Sequence, residues 1–154
     1  MILEFKDLES QEIDLLLKAP ILVSILIAGA DNEIDNSEIR EAVSISKLKQ
    51  VKARKELIEY YKEVGMDFED KLKVILASYP VDAGKRNPMI VEELEGLNPI
   101  LSKLPNTFSV KLYASLKDIA KKIAEASGGI LGYMSVGYEE SKFLELKMIK
   151  DPSK

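Results

Sequence analysis

The most constraining feature of the chain is an apolar segment at residues 19–30, which contains almost no polar side chain. Wound as a helix, this segment is apolar on every side, and such a helix is stable only when other elements surround it. The segment therefore predicts a helix from about Pro20 to Ala30 at the centre of a core. It is also shorter than the roughly 20 apolar residues of a membrane-spanning helix, so we expect no transmembrane segment.

Apolar residues elsewhere recur at intervals of three and four, the spacing of an amphipathic helix, and no segment alternates like a strand. We therefore predict an all-α, single-domain bundle of about seven helices. The other predicted helices are 8–18, 36–50, 57–65, 67–79, 87–104, 106–127 and 139–149. A break is expected before Pro20 and a kink or split at Asn98–Pro99, because proline disfavours a helix around it. Residues 80–87 are predicted to form a loop.

The size and charge of the chain limit its organisation and its partners. With 154 residues, 46% of them apolar, the chain can fill one domain over residues 1–154. We expect a first half at about 1–80 and a second half at about 88–150. The net charge of −4 makes a nucleic acid an unfavourable partner. Because the N-terminus lacks the features of a secretory signal, we expect a cytoplasmic protein.

The chain contains no histidine and no cysteine. These two residues supply most zinc ligands, thiol nucleophiles and near-neutral acid–base groups in proteins. This chain alone therefore cannot build a disulfide, a Ser-His-Asp triad or a Cys/His zinc site, and we predict that it is not an enzyme. A bound metal would have oxygen ligands, which favours a divalent cation such as calcium, magnesium or manganese.

The apolar helix leads directly into a dense run of acids. Five carboxylates lie within eleven residues, namely Asp31, Glu33, Asp35, Glu38 and Glu41. Arg40 is the only positive charge between Lys18 and Lys47. Such carboxylates repel one another unless a cation, a helix N-terminus or open solvent compensates them. Arg86, in the predicted loop, is expected to be solvated, and the alternative is that it pairs with these acids.

Known local motifs explain only part of this acidic run. An EF-hand loop that starts at Asp31 needs Gly at its sixth position and Glu at its twelfth, whereas the chain has Asn36 and Ala42 there. Capping of the next helix by Asp35, with Glu38 completing a capping box, accounts for two of the acids. This explanation leaves Asp31 and Glu33 without a role.

A helix–loop–acid–helix pattern occurs twice, at residues 25–38 and again at residues 119–140. The first copy, Ala-Asp-Asn-Glu-Ile-Asp-Asn-Ser-Glu, resembles the acidic motif of TerB-like domains, the tellurite-resistance-type proteins. This resemblance implies an all-helical domain of about seven helices with an internal pseudo-repeat and, as in some members of the family, a cluster of acids from both motifs that binds divalent cations. Two positions depart from the family pattern: Asn32 stands where Gly is usual, and Ser127 stands where the second motif has Asp.

The resemblance gives a metal site formed by Asp31, Asp35, Glu38 and Glu140. Asp31 and Glu38 are the first-choice ligands, Asp35 and Glu33 are the second choice, and Glu139 is the less favoured neighbour of Glu140. On this basis the sequence predicts a small cytoplasmic TerB-like protein that binds a divalent cation and acts as a stress-related sensor or adaptor. The alternative is a metal-independent helical module that contacts an unidentified protein partner through a helix face or through residues 133–138.

Overall fold

The structure of the chain is a computed structural model, which describes residues 2–29, 34, 36–127 and 143–154. Within these residues there is no β-strand, and six α-helices have eight residues or more. The helices are α1 (Ser10–Ala28), α2 (Asn36–Lys52), α3 (Ile58–Gly65), α4 (Phe68–Ala77), α5 (Ala83–Glu95), the five-residue α6 (Leu97–Leu101) and α7 (Asn106–Ser127). The all-α class is confirmed, whereas the count of about seven helices and the internal repeat stay predictions.

Helix α1 forms the centre of the fold. It contacts each of α2, α3, α4, α5, α6 and α7, and every residue from Ile21 to Ala28 is buried. The predicted central position of this segment is therefore confirmed. Its partner α7 buries Leu112, Leu116 and Ile123, and α7 ends at Ser127 as the sequence predicts. No helix in the described part of the chain combines the length and the apolar character needed to cross a membrane.

The predicted break before Pro20 is wrong, because α1 runs through this residue without interruption. Proline has no backbone N–H, so the carbonyl of Leu16, four residues earlier, loses its helical donor. The hydroxyl of Tyr60, on α3, donates a hydrogen bond to that carbonyl at 2.5 Å. A side chain from another helix thus replaces the missing donor, which explains why the buried helix tolerates the proline.

The predicted loop at residues 80–87 is also partly wrong, because α5 begins at Ala83. The carbonyl of Asp82 accepts the backbone N–H groups of Lys85 at 3.1 Å and Arg86 at 2.9 Å, which forms the first turn. Pro88 is the sixth residue of the helix, so it removes only a hydrogen bond close to the helix start. The helix predicted at residues 87–104 is interrupted, but at Gly96 rather than at Asn98–Pro99, since α5 ends at Glu95 and α6 begins at Leu97. Pro99 lies in the first turn of α6, where a proline is tolerated.

The helix predicted at residues 139–149 is absent from its described part, residues 143–149, which form turns. Leu146 has a positive φ of 45°, which a right-handed helix does not allow. Its side chain is nevertheless fully buried. The amide of Asn98 holds this segment, because it donates to the Met148 carbonyl at 3.0 Å and accepts the Lys150 N–H at 2.8 Å. Contacts to a distant helix therefore override the local helical pattern.

Candidate functional site

The acidic segment predicted to bind a cation connects α1 to α2. Of the predicted ligands the structure places only Glu38, since Asp31, Asp35 and Glu140 lie outside the described residues. The same holds for Glu33 and for Glu139, the less favoured neighbour of Glu140. The structure describes this connection at Gly29, which follows α1, at the half-buried Ile34, and at Glu38 in the first turn of α2.

Glu38 is buried, with 3% of its surface exposed. Its place in the first turn of α2 is favourable for a carboxylate, because the N-terminal end of a helix carries partial positive charge. Burial of a carboxylate is costly unless hydrogen bonds or opposite charge compensate it. The acidic run is therefore more than a solvated surface, since at least one of its acids lies inside the protein.

Arg86 is buried rather than solvated, which corrects the expectation from the sequence. Only 2% of its surface is exposed. One terminal nitrogen of its guanidinium donates to the carbonyl of Gly29 at 2.5 Å, and the other donates to the carbonyl of Val81 at 2.9 Å. Its Nε has no hydrogen-bond partner among the described residues. The guanidinium thus caps the C-terminal end of α1, where positive charge is stabilising.

Gly29 permits this close approach because it has no side chain. A methyl group at position 29 would overlap the guanidinium of Arg86 and would lie 2.9 Å from Cδ1 of Ile34. The backbone of Gly29 has an ordinary negative φ of −98°, so the need for glycine here is one of space. The packing of Arg86 therefore requires glycine at position 29, just before the acidic segment.

The environment of Arg86 is less favourable to its charge than water is. Burial lowers the pKa of Arg86, and the nearby Asp82 carboxylate partly offsets this effect. A guanidinium remains protonated at neutral pH even so. The end of α1 therefore carries a fixed positive charge, only two positions before Asp31 along the chain.

A cavity of about 290 Å³ adjoins this arrangement. Its wall includes the guanidinium-bearing Arg86 and Ile34, the one described residue between Gly29 and α2. The remaining wall residues come from α4 and the turn after it, namely Leu76, Ala77, Tyr79, Pro80 and Val81. The cavity is therefore mostly apolar, with a single charged group.

Comparisons with protein-family models, curated proteins and solved structures give no match. Within the described ranges, no group of three or more acids is placed to hold a metal ion. A cation site with three or more acids that includes Glu38 would thus need at least one acid outside the described residues. The burial of Arg86 was not deduced from the sequence, since its partner Gly29 is 57 residues away. A glycine that ends an otherwise apolar helix was the available signal for a close contact.

Proposed function

We propose that this protein is a small TerB-like helical domain that binds a divalent cation through residues 31–38. Asp31 and Glu38 are the first-choice ligands, Asp35 and Glu33 are the second choice, and Glu140 completes the site. A role as a stress-related sensor or adaptor in the cytoplasm is consistent with the resemblance of the acidic segment. The domain has no catalytic role in this proposal.

The observation that carries the proposal is the burial of Glu38, of which 3% is exposed. Its place in the first turn of α2 holds the Glu38 carboxylate seven residues after Asp31, and a hard cation gains from each carboxylate oxygen that it contacts. The absence of His and Cys from the chain favours the same class of metal, because only oxygen ligands are left.

Two features limit the expected affinity. Arg86 binds the carbonyl of Gly29, and its charge attracts the acids that follow, which reduces the gain from adding a cation. Ser127 offers a neutral hydroxyl where the second TerB-like motif has a carboxylate. A site with fewer negative ligands holds a hard cation less tightly, so we expect weak binding.

Calorimetric titration with calcium, magnesium and manganese tests this function. Wild-type protein should bind at least one of these cations with a saturable heat. Asp31→Asn should abolish binding, and Glu38→Gln should weaken it at least about tenfold, because each removes a charged ligand.

The control is Glu63→Gln, which changes the net charge equally at an exposed position of α3. This variant should bind like the wild type. The proposal is wrong if the wild type binds none of the three cations at millimolar concentration. It is equally wrong if Glu63→Gln weakens binding as much as Glu38→Gln does.

The alternative function, a metal-independent interaction module, has one observation in its favour. Leu48 and Val51 lie three residues apart on α2 and are 43% and 70% exposed. Residues at this spacing share one helix face, so the two side chains form a small apolar surface. This alternative predicts that stability does not depend on divalent cations.

A further inference from the structure

A cleft of about 460 Å³ lies between the C-terminal part of α2, the turn at Lys55–Leu57 and α7. This volume is within the range of small-molecule sites. Its described lining consists of Lys49, Lys52, Ala53, Arg54, Leu57, Val110, Lys111, Ala114, Ser115 and Asp118. Neither Glu38 nor Arg86 belongs to the lining, so the cleft is separate from the acidic segment.

The cleft concentrates positive charge in a chain that is negative overall. Four cationic side chains and a single carboxylate line it, although the net charge of the chain is −4. The carboxylate, Asp118, lies 3.1 Å from the ammonium of Lys49 and 3.1 Å from that of Lys122. One negative charge therefore compensates two positive ones. Desolvation raises the pKa of Asp118, but the hydrogen bonds from these lysines outweigh it and hold the pKa below its ordinary value.

Two of the cations form no ion pair within the described part of the chain. Lys111 is paired with Glu56 at 2.7 Å, whereas Lys52 and Arg54 have no carboxylate at ion-pair distance among the described residues. The charge of Arg54 nevertheless helps to lower the pKa of Glu56, so this carboxylate compensates it in part. The dipole of α2 explains a lysine in its last turn, because that end of a helix carries partial negative charge. It does not explain Arg54, which follows the helix, or Lys111, which lies in the second turn of α7.

The floor of the cleft is fixed by buried polar contacts. Lys49 is only 9% exposed, and its ammonium lies 5.5 Å from the ring centroid of Tyr61. The Tyr61 hydroxyl and the Ser115 Oγ form a hydrogen bond of 2.6 Å. Lys52 and Arg54, which form no ion pair among the described residues, are exposed and line the same cleft as these buried contacts. Apolar side chains, among them Leu57 and Val110, supply the rest of the wall.

We propose that this cleft binds a small organic phosphate. The planar guanidinium of Arg54 matches the oxygens of a phosphate, and Lys52 and Lys111 add point charges around them. Leu57 and Val110 offer the apolar part of the ligand a surface that inorganic phosphate cannot use. The negative charge of the whole chain disfavours a long polyanion, so the ligand is a small molecule rather than a nucleic acid.

Amide shifts in NMR spectra, recorded at low ionic strength during titration with phenyl phosphate, test this proposal. The amides of residues 52–54 and 110–115 should shift saturably. Arg54→Gln should weaken binding about tenfold, because it removes a charge-assisted hydrogen bond. Lys85→Gln makes the same change of net charge at an exposed position of α5, and it should alter the affinity less than about twofold.

Several results would overturn the proposal. The first is the absence of saturable shifts in the cleft, and the second is equal weakening by Arg54→Gln and Lys85→Gln, which would indicate a general charge effect. Inorganic phosphate that binds as tightly as phenyl phosphate would remove the role of the apolar wall. A single-stranded oligonucleotide that binds more tightly, at equal phosphate concentration, would replace the small molecule with a nucleic acid.

Discussion

The hydrogen bond from Tyr60 to the Leu16 carbonyl is the contact that lets α1 pass through Pro20 at the centre of the fold. Tyr60→Phe removes this hydroxyl and leaves the rest of the ring in place. Both Tyr60 and Leu16 are fully buried, so water cannot serve the carbonyl instead. An unsatisfied buried acceptor costs about 1–3 kcal/mol, which is a large part of a total stability of roughly 5–15 kcal/mol.

A double-mutant cycle, with each variant unfolded in urea, tests whether the cost of Tyr60→Phe depends on Pro20. In a Pro20→Ala background the N–H of residue 20 can serve the Leu16 carbonyl, so Tyr60→Phe should then cost less than about 1 kcal/mol. Tyr61→Phe is the matched control, because its buried hydroxyl bonds Ser115. Its cost should be the same in both backgrounds. An equal cost of Tyr60→Phe with and without Pro20 would refute the reasoning.

Three further predictions concern stability. Gly29→Ala should destabilise the fold by about 1–3 kcal/mol, because the new methyl overlaps the Arg86 guanidinium; an unchanged urea midpoint would mean that Arg86 can move aside. Leu26→Asp should prevent folding, since Leu26 is fully buried in α1 and an unpaired buried carboxylate costs several kcal/mol; a cooperative melt of this variant would contradict the central position of α1. Burial raises the pKa of Tyr60 and Tyr61 above their ordinary value. The stabilisation of the fold that depends on their protonated hydroxyls is therefore fully present below pH 10. It should be lost at roughly 1.4 kcal/mol per pH unit per tyrosine as the pH rises above 10, and Tyr61→Phe should reduce that slope.

Local patterns in the sequence predict the helical class and the central helix because both depend on the spacing of apolar residues. The all-round apolar character of residues 21–28 requires burial whatever the topology. The course of the chain through Pro20 depends instead on Tyr60, which is 44 residues from Leu16. No local rule contains that partner, so the sequence predicted a break.

The same distinction applies to the candidate site. The acidic run is visible because its members are neighbours along the chain. The burial of Arg86 depends on the carbonyl of Gly29 and on space that only glycine leaves, and these are properties of the folded protein. Leu146 is a similar case, because its buried side chain compensates a backbone conformation that its sequence pattern does not favour.

The central claim is that residues 31–38 bind a divalent cation, and the free energy of unfolding with and without the cation tests it most directly. At a cation concentration about 100 times the dissociation constant, the wild type should gain about 2.7 kcal/mol. Asp31→Asn should lose most of this gain and should leave the metal-free protein unchanged or slightly more stable, because crowded acids then only repel. An unfolding free energy that is the same in a chelator as in millimolar calcium, magnesium or manganese would contradict the claim.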